Sequence, residues 1–554
     1  MKYDVIVVGA GLAGLVVVSQ LVDSGKKVLL LDQEPEVGMG GQAWWSFGGL
    51  FLIDSPEQRR MGIKDSKELA TQDWFGSAKF DRIEDEDYWA VQWAKAYLDF
   101  AAGEKRAWLH TLGVKLFPVV GWAERGGYLA DGHGNSVPRF HITWGTGPGL
   151  VKPFLKLIKK GIEKGDVDFK PRHQVDELIV QKEAVIGVKG SILEDDEIQR
   201  GEESSRVKIG DFTYQASATV ITSGGIGANL ALVKEHWPSR LGTPPNSMIS
   251  GVPAHVDGRM LAITEKAGGR IVNKDRMWHY TEGIKNWNSI WPNHGIRILP
   301  GPSSIWLDAE GNRLQAPFLP GFDTLGTLQA IQETSYDYSW FILTEKIIEK
   351  EFALSGSEQN PDLTNKSIKQ VLSRILPGPP KPVKAFMDHG EDFVVAHTLE
   401  ELVNGMNQLT DEPLIDLEHV RAQLVERDRE MDHKFTKDLQ ITAMRGARHY
   451  LGDKLIRVTK QHKILDIKNG PLIAVKLHLL TRKTLGGLQT GLKGRVLNKM
   501  RQPISGLYAA GEVSGFGGGG VHGYRALEGT FLGGCLFSGK IVGESLKQNE
   551  PKKL

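Results

Sequence analysis

The residue types best suited to chemistry fall at the two ends of this 554-residue chain. Near the start, Gly9, Ala10, Gly11, Leu12, Ala13 and Gly14 place three glycines at the spacing G-x-G-x-x-G. Such a turn lets the main chain approach a pyrophosphate, and the helix it opens offers free N–H groups and a positive dipole end to phosphate. Asp32, 18 residues after Gly14, stands where a carboxylate accepts hydrogen bonds from ribose hydroxyls. Near the other end, Ala510-Gly511-Glu512 closes a strand-like run, which places a carboxylate where polyol hydroxyls can reach it. His522, Tyr524 and Arg525 follow inside a glycine-rich run. They bring an imidazole, a phenol and a guanidinium, groups suited to proton transfer and to bidentate anchoring of a carboxylate or carbonyl. These three are the catalytic candidates, with the alternative that Arg525 only pairs with a phosphate or with Glu528.

The elements around these residues follow from periodicity. Residues 3–8 read as a short buried strand, 12–24 as a helix ended by Gly25, and 27–31 as a second strand closing at Asp32. That βαβ unit implies a parallel sheet. Apolar residues recur at helical spacing over 88–112, and 151–164 also reads as helix. Residues 174–180 and 185–188 read as a hairpin, 194–206 as an exposed charged loop, and 217–222 as a buried strand leading into Ser223, Gly224 and Gly225. Residues 121–149 read as loop. The stretch 240–320 is dense in Pro, Gly and Trp, and 336–438 looks mainly helical, broken by Pro377-Gly378-Pro379-Pro380. The last hundred residues return to strand-and-glycine character. The expected fold is therefore α/β: a discontinuous Rossmann-type domain with a parallel sheet, in parts 1–270 and 441–554, around an inserted α+β cap or substrate domain at 271–440. The second glycine cluster, with Glu512 placed for ribityl hydroxyls, makes FAD the expected dinucleotide.

Composition narrows the function classes. A net charge of +1 points to neither nucleic acid nor an anionic membrane as partner. The single cysteine, Cys535, allows no internal disulfide and no redox-active pair, and a cytoplasmic setting is expected. No run of about 20 uninterrupted apolar residues occurs, so no transmembrane helix is expected. The apolar start carries one lysine, Lys2, then Asp4 and three glycines, which does not read as a signal peptide. The closing Pro551-Lys552-Lys553-Leu554 resembles a peroxisomal address only loosely. Without HExxH, a spaced Cys/His set or Gly-x-Ser-x-Gly, neither a metal site nor serine hydrolysis is expected. His279, Tyr280, His294, Tyr336, Asp337 and Tyr338 fall in the expected cap and could line a cleft, as could Trp278, Trp287, Trp291, Trp306 and Trp340, although packing is the commoner role of such residues.

Three segments carry a resemblance to a known family: residues 5–14, the run Gly40-Gly41-Gln42-Ala43-Trp44-Trp45-Ser46-Phe47-Gly48-Gly49, and Thr484-Leu485-Gly486-Gly487-Leu488. A fourth, 506–539, includes Gly-Phe-Gly-Gly-Gly-Gly-Val-His-Gly-Tyr-Arg-Ala-Leu-Glu-Gly-Thr. Through them the sequence resembles the fumarate reductase and succinate dehydrogenase flavoproteins with the 3-ketosteroid Δ1-dehydrogenases. It looks most like the bacterial FAD-binding dehydrogenases described as 3-ketosteroid-dehydrogenase-like. The resemblance implies two lobes with a small apolar or carbonyl substrate between them at the flavin, and an electron acceptor or donor that it does not name. It implies oxidation or reduction of a CH–CH bond beside a carbonyl. The FAD would be noncovalent, because residues 40–49 hold no histidine. The expected cofactor contacts are Gly9, Ala10, Gly11, Leu12, Ala13, Gly14, Asp32, Gln33, Gly40, Gly41, Gln42, Ser46, Gly48 and Gly49. Later in the chain they are Val175, Ser223, Gly224, Gly225, Gly511, Glu512, Gly529, Thr530, Phe531 and Leu532. Arg525 falls near the proton-donating arginine of fumarate reductases, and Tyr524 near the catalytic tyrosine of the ketosteroid enzymes. The chain has Arg482-Lys483 where fumarate reductases carry a carboxylate-binding histidine, and it lacks the ketosteroid pattern of tyrosine followed by Ala-Gly. A fumarate-like enoate or dicarboxylate reductase, an amine or hydroxyl oxidase, and an FAD-binding protein without turnover stand as alternatives.

Overall fold

The computed structural model describes residues 2–126, 134–374 and 377–548. Its first sheet is built on Lys2–Val8, whose run KYDVIVV ends in four consecutive β-branched apolar residues. Parallel strands flank it on both edges, Val28–Leu31 on one side and Lys208–Ile221 on the other. Val167–Lys170 extends the parallel ladder beyond the first, and Pro503–Ala509 beyond the second. Both faces of this sheet are covered, which is why Val5, Ile6, Val7, Leu29 and Leu30 are all buried without alternation. On one face lie the helices Leu12–Leu21, Thr146–Lys164 and Thr530–Gln548, contributing Leu15, Phe154 and Leu536 to a single apolar cluster. On the other lie the antiparallel hairpin His173–Gln181 and Ala184–Leu193 and the helix Arg259–Lys266. The fold is thus mixed α/β with a parallel sheet at its centre.

The expected hairpin and buried strand are present, each longer than the apolar pattern alone suggested. The helical region 88–112 is two helices, Tyr88–Ala102 and Lys105–Thr111, separated at Gly103. Residues 127–133, inside the stretch expected as loop, lie outside the described residues, and Phe140–Thr143 in the same stretch is a strand.

The second sheet is centred on Leu472–Thr484. This strand pairs antiparallel with Tyr338–Thr344, Met277–Lys285 and Phe393–Ala396, and parallel with Ile249–Ser250. Helices Lys381–His389, Leu399–Gln408 and Leu417–Met431 seal it through Phe386, Leu402 and Val420. One feature differs from the sequence reading. Residues 338–344 form a strand inside a stretch expected to be mainly helical, because YSWFILT is rich in aromatic and β-branched residues and six of its seven positions are buried. The second sheet also draws on all three expected segments, with Ile249–Ser250 before residue 270 and its central strand beyond 440.

One irregularity matters for the site. Between Met277–Lys285 and Leu472–Thr484, Trp278 faces Lys483 and Tyr280 faces Leu480. Thr481 and Arg482 therefore oppose the single residue His279, a β-bulge that breaks the alternation of side chains.

Candidate functional site

A cavity with about 1560 Å³ of empty space, its open mouth included, runs from the carboxyl ends of the parallel strands to the wall of the second sheet. Gly9, Gly11, Leu12, Ala13, Asp32 and Gln33 line one end. Gly40, Gly41, Gln42, Ser46, Gly48 and Gly49 form a side wall, and Val175, Ser223 and Gly224 another part. Gly511, Glu512, Gly529, Phe531 and Leu532 complete it from the far end of the sequence. Of the expected cofactor contacts, Ala10, Gly14, Gly225 and Thr530 do not line the cavity. Ala10 donates its N–H to Asp32 Oδ2 at 2.6 Å. A Cβ at Gly14 would stand 2.0 Å from Gly9 O, and one at Gly225 2.1 Å from Thr484 Oγ1, so both permit close packing. The Thr530 hydroxyl sits 2.9 Å from His522 Nε2.

The residues at this end fit a dinucleotide. The helix Leu12–Leu21 starts at Gly11 with no side chain capping its first N–H groups, so those donors and the positive helix end are left for an anion. A Cβ on Gly11 would meet nothing closer than Thr222 O at 4.0 Å, so the missing side chain leaves room in the cradle. Gly9 has φ +109°, and a Cβ there would come within 2.7 Å of Thr222 O; only glycine adopts this turn without strain. Asp32 accepts N–H groups from Ala10 and from Glu34, the latter at 2.8 Å, which ties the turn to the strand end. Burial raises its carboxyl above the usual range.

At the middle of the cavity a polar chain crosses between the sheets. Lys483 Nζ donates to Gln42 Oε1 at 2.5 Å, Gln42 Nε2 donates to Glu512 Oε2 at 2.5 Å, and Glu512 Oε1 accepts the Thr484 N–H at 2.8 Å. Burial lowers the Lys483 ammonium below its ordinary range. These three side chains line the cavity and would hold the ribityl chain of FAD.

The second-sheet end holds a buried cluster that the sequence showed only in fragments. Glu528 Oε1 accepts from Arg297 Nη1 at 2.7 Å, from the Tyr280 hydroxyl at 2.9 Å and from Trp278 Nε1 at 3.2 Å. The Arg297 guanidinium lies 3.8 Å from the centre of the Tyr280 ring. Tyr280, Arg297 and Glu528 line the large cavity. Burial drives the Tyr280 phenol well above 10, with the Glu528 charge adding to it. Behind them Glu124 Oε2 stands 4.0 Å from Arg297 Nη2, and burial pushes its carboxyl up to about 8.

None of the three catalytic candidates lines the large cavity. The His522 ring stacks on Trp74 at 5.7 Å, and burial lowers its pKa to about 3, so it stays neutral. The Tyr524 hydroxyl donates to Asp81 at 3.0 Å while its ring lies between the guanidinium groups of Arg276 and Arg240, 4.0 and 4.5 Å away. Arg525 lines a smaller cavity of about 300 Å³, shared with Glu528 and Glu124, with its Nε 3.8 Å from Asp323 Oδ1. Arg297 was missed by the sequence reading. A single charged residue inside the apolar run GIRILP, buried at all six positions, was the signal available, since a buried charge needs a partner or a use.

The chain matches the family model described as FAD binding domain over residues 4–532. It is 61% identical over 547 residues to a KsdD-like steroid dehydrogenase of Mycobacterium tuberculosis, covering 99% of this chain and 96% of that one. It is 62% identical over 529 residues to a KsdD-like steroid dehydrogenase of Mycolicibacterium smegmatis, covering 96% of each. Among solved structures, the fold is similar to a 3-ketosteroid Δ1-dehydrogenase from Sterolibacterium denitrificans, with a TM-score of 0.69, 16% identity and 99% of each chain covered. The phosphate cradle, the carboxylate at Glu512 and this match agree on one cofactor, and the chain belongs to the FAD binding domain family as an FAD-dependent oxidoreductase.

Proposed function

We propose that the protein dehydrogenates a carbon–carbon bond beside the carbonyl of a steroid-like ketone, removing a proton from one carbon and a hydride from its neighbour. The observation that carries this reading is the buried Tyr280–Glu528–Arg297 cluster in the wall of the cofactor cavity. The relatives named KsdD-like steroid dehydrogenases support the substrate class. Bound FAD supplies the two-electron acceptor for the hydride.

In this reading Tyr280 takes the proton. Its phenol ionises only far above neutral pH, so its oxygen accepts the carbon-bound proton while its own proton moves along the 2.9 Å hydrogen bond to Glu528. Arg297, bonded to the same carboxylate oxygen, is the cation nearest this event and offsets negative charge building on the substrate carbonyl oxygen. Arg525 is assigned a supporting place beside Glu528 in the smaller cavity, and His522 and Tyr524 a structural one. Among the described residues no helix is long and apolar enough to cross a membrane; with the lone thiol, Cys535, this supports a cytoplasmic setting. Anaerobic mixing of the FAD-loaded protein with 3-ketosteroids tests the reading. Bleaching of the flavin together with new conjugated-enone absorbance is expected, and a flavin that stays oxidised with every 3-ketosteroid sinks it.

A further inference from the structure

Arg482 and Lys483 are consecutive residues of one strand, yet both line the cavity. In a regular strand neighbouring side chains leave on opposite faces. The bulge opposite His279 removes that constraint and turns Arg482 toward the same space as Lys483. The two cations then meet different fates. Lys483 is spent on Gln42. Among the described residues the Arg482 side chain makes no hydrogen bond, ion pair or ring contact, and its nitrogens are not among the buried polar atoms left without a partner.

The surroundings leave its charge uncompensated. Glu358 feels its charge but stands beyond ion-pair distance, and burial pushes that carboxyl up to about 7. Tyr280, His294 and Lys483 also feel its charge, and none of them is an anion in this setting: burial keeps the Tyr280 phenol and His294 neutral. A guanidinium in the wall of a largely apolar cavity, without a protein partner, is left to water or to a ligand that supplies an anion. Its planar fork matches a carboxylate through two parallel hydrogen bonds.

We propose that Arg482 is a second substrate anchor, one that binds a carboxylate separate from the reacting carbonyl, so that the substrate is a ketosteroid carrying an acidic side chain. This rests on the steroid-dehydrogenase reading above and narrows it. The apolar ring system fills the cavity, the Tyr280–Glu528–Arg297 cluster receives the ketone end, and Arg482 receives the acid.

The test uses the FAD-loaded protein and matched pairs of 1,4-dien-3-one steroids, which keep no saturated CH–CH bond beside the carbonyl to oxidise, each a side-chain carboxylic acid and its methyl ester, at two side-chain lengths. Binding is read from perturbation of the flavin spectrum, without turnover. For at least one length, the acid is expected to bind roughly ten- to a hundredfold tighter than the ester, the range of a charge-assisted hydrogen bond. Arg482→Gln should erase that ratio while leaving ester binding, FAD content and flavin midpoint potential as they are, and Arg482→Lys should restore part of it. Equal binding of acid and ester, or a preference that survives Arg482→Gln, overturns the anchor. A shifted potential or lost FAD in Arg482→Gln with the acid-to-ester ratio intact also overturns it, and gives Arg482 to the cofactor. Absence of any perturbation by either steroid form removes the steroid reading, and the anchor falls with it.

Discussion

Tyr280 and Glu528 stand 248 positions apart in the chain and share one hydrogen bond. Nothing in either local segment announces the pairing, and the same holds for Arg297, which reaches Glu528 across 231 positions. The sequence reading found the glycine run that carries Glu528 and settled on its more conspicuous neighbours, His522, Tyr524 and Arg525. The structure leaves those three out of the cavity wall and puts Glu528 in it, with Gly523 and Gly529 at positive φ on either side. A residue-scale experiment separates the two sets. Tyr280→Phe removes only the hydroxyl, and kcat should fall by about 10²- to 10⁴-fold, the usual worth of a positioned acid–base group. FAD content and reduction by dithionite should not change. Tyr524→Phe, which cuts a bond to Asp81 at the edge of the protein, should leave kcat within about twofold. The reverse pattern in steady-state rates would return the proton to the glycine run.

The βαβ unit at the start is the element most legible in the sequence, since strand, glycine turn and helix each carry a local signal that agrees with the others. Gly14 shows how tight it is. A Cβ there would sit 2.0 Å from Gly9 O and 2.8 Å from Thr222 Oγ1. Gly14→Ala should therefore force the helix off the turn, weaken FAD at least tenfold by order of magnitude, and lower Tm; a fluorescence titration of the apoprotein with FAD checks this. Elements whose identity depends on distant partners were not legible. Residues 338–344 become a strand only because Leu472–Thr484 waits beside them. The bulge at Thr481 and Arg482 arises from a pairing with residues some 200 positions earlier, so no local pattern forecasts that two successive side chains face one cavity. For the same reason we treat the divisions at 270 and 440 as proposals about units: a cut at 440 would part the second sheet from its central strand.

At the scale of the whole molecule, stability carries the mark of groups the site does not use. Lys105 is fully buried, donating to Phe51 O at 2.9 Å and to the Tyr97 hydroxyl at 2.8 Å, and burial lowers it to about 7. The unfolded chain, with an ordinary lysine near 10.5, holds more protons than the native state between these values. This group therefore makes stability fall as pH drops from about 10 to 7, by at most about 1.4 kcal/mol per pH unit, and adds no further slope below. Lys105→Met should flatten that slope, so that Tm of the parent relative to the variant declines as pH is lowered from 9.5 to 7 in thermal melts. The general plan, a dinucleotide domain closed by the other end of the chain, was legible because both ends carry glycine signatures. How they interlock was not. The first helix, Leu12–Leu21, lies against the last, Thr530–Gln548, so closely that a Cβ at Gly539 would come within 2.8 Å of Ala13 O. On a ribosome these surfaces are separated in time as well as in sequence. At about 5–20 residues per second, the phosphate turn waits roughly half a minute to two minutes for its far wall. Until then it is a strand, turn and helix whose apolar face lacks its cover, and the cradle has no far wall until the last helix has been made.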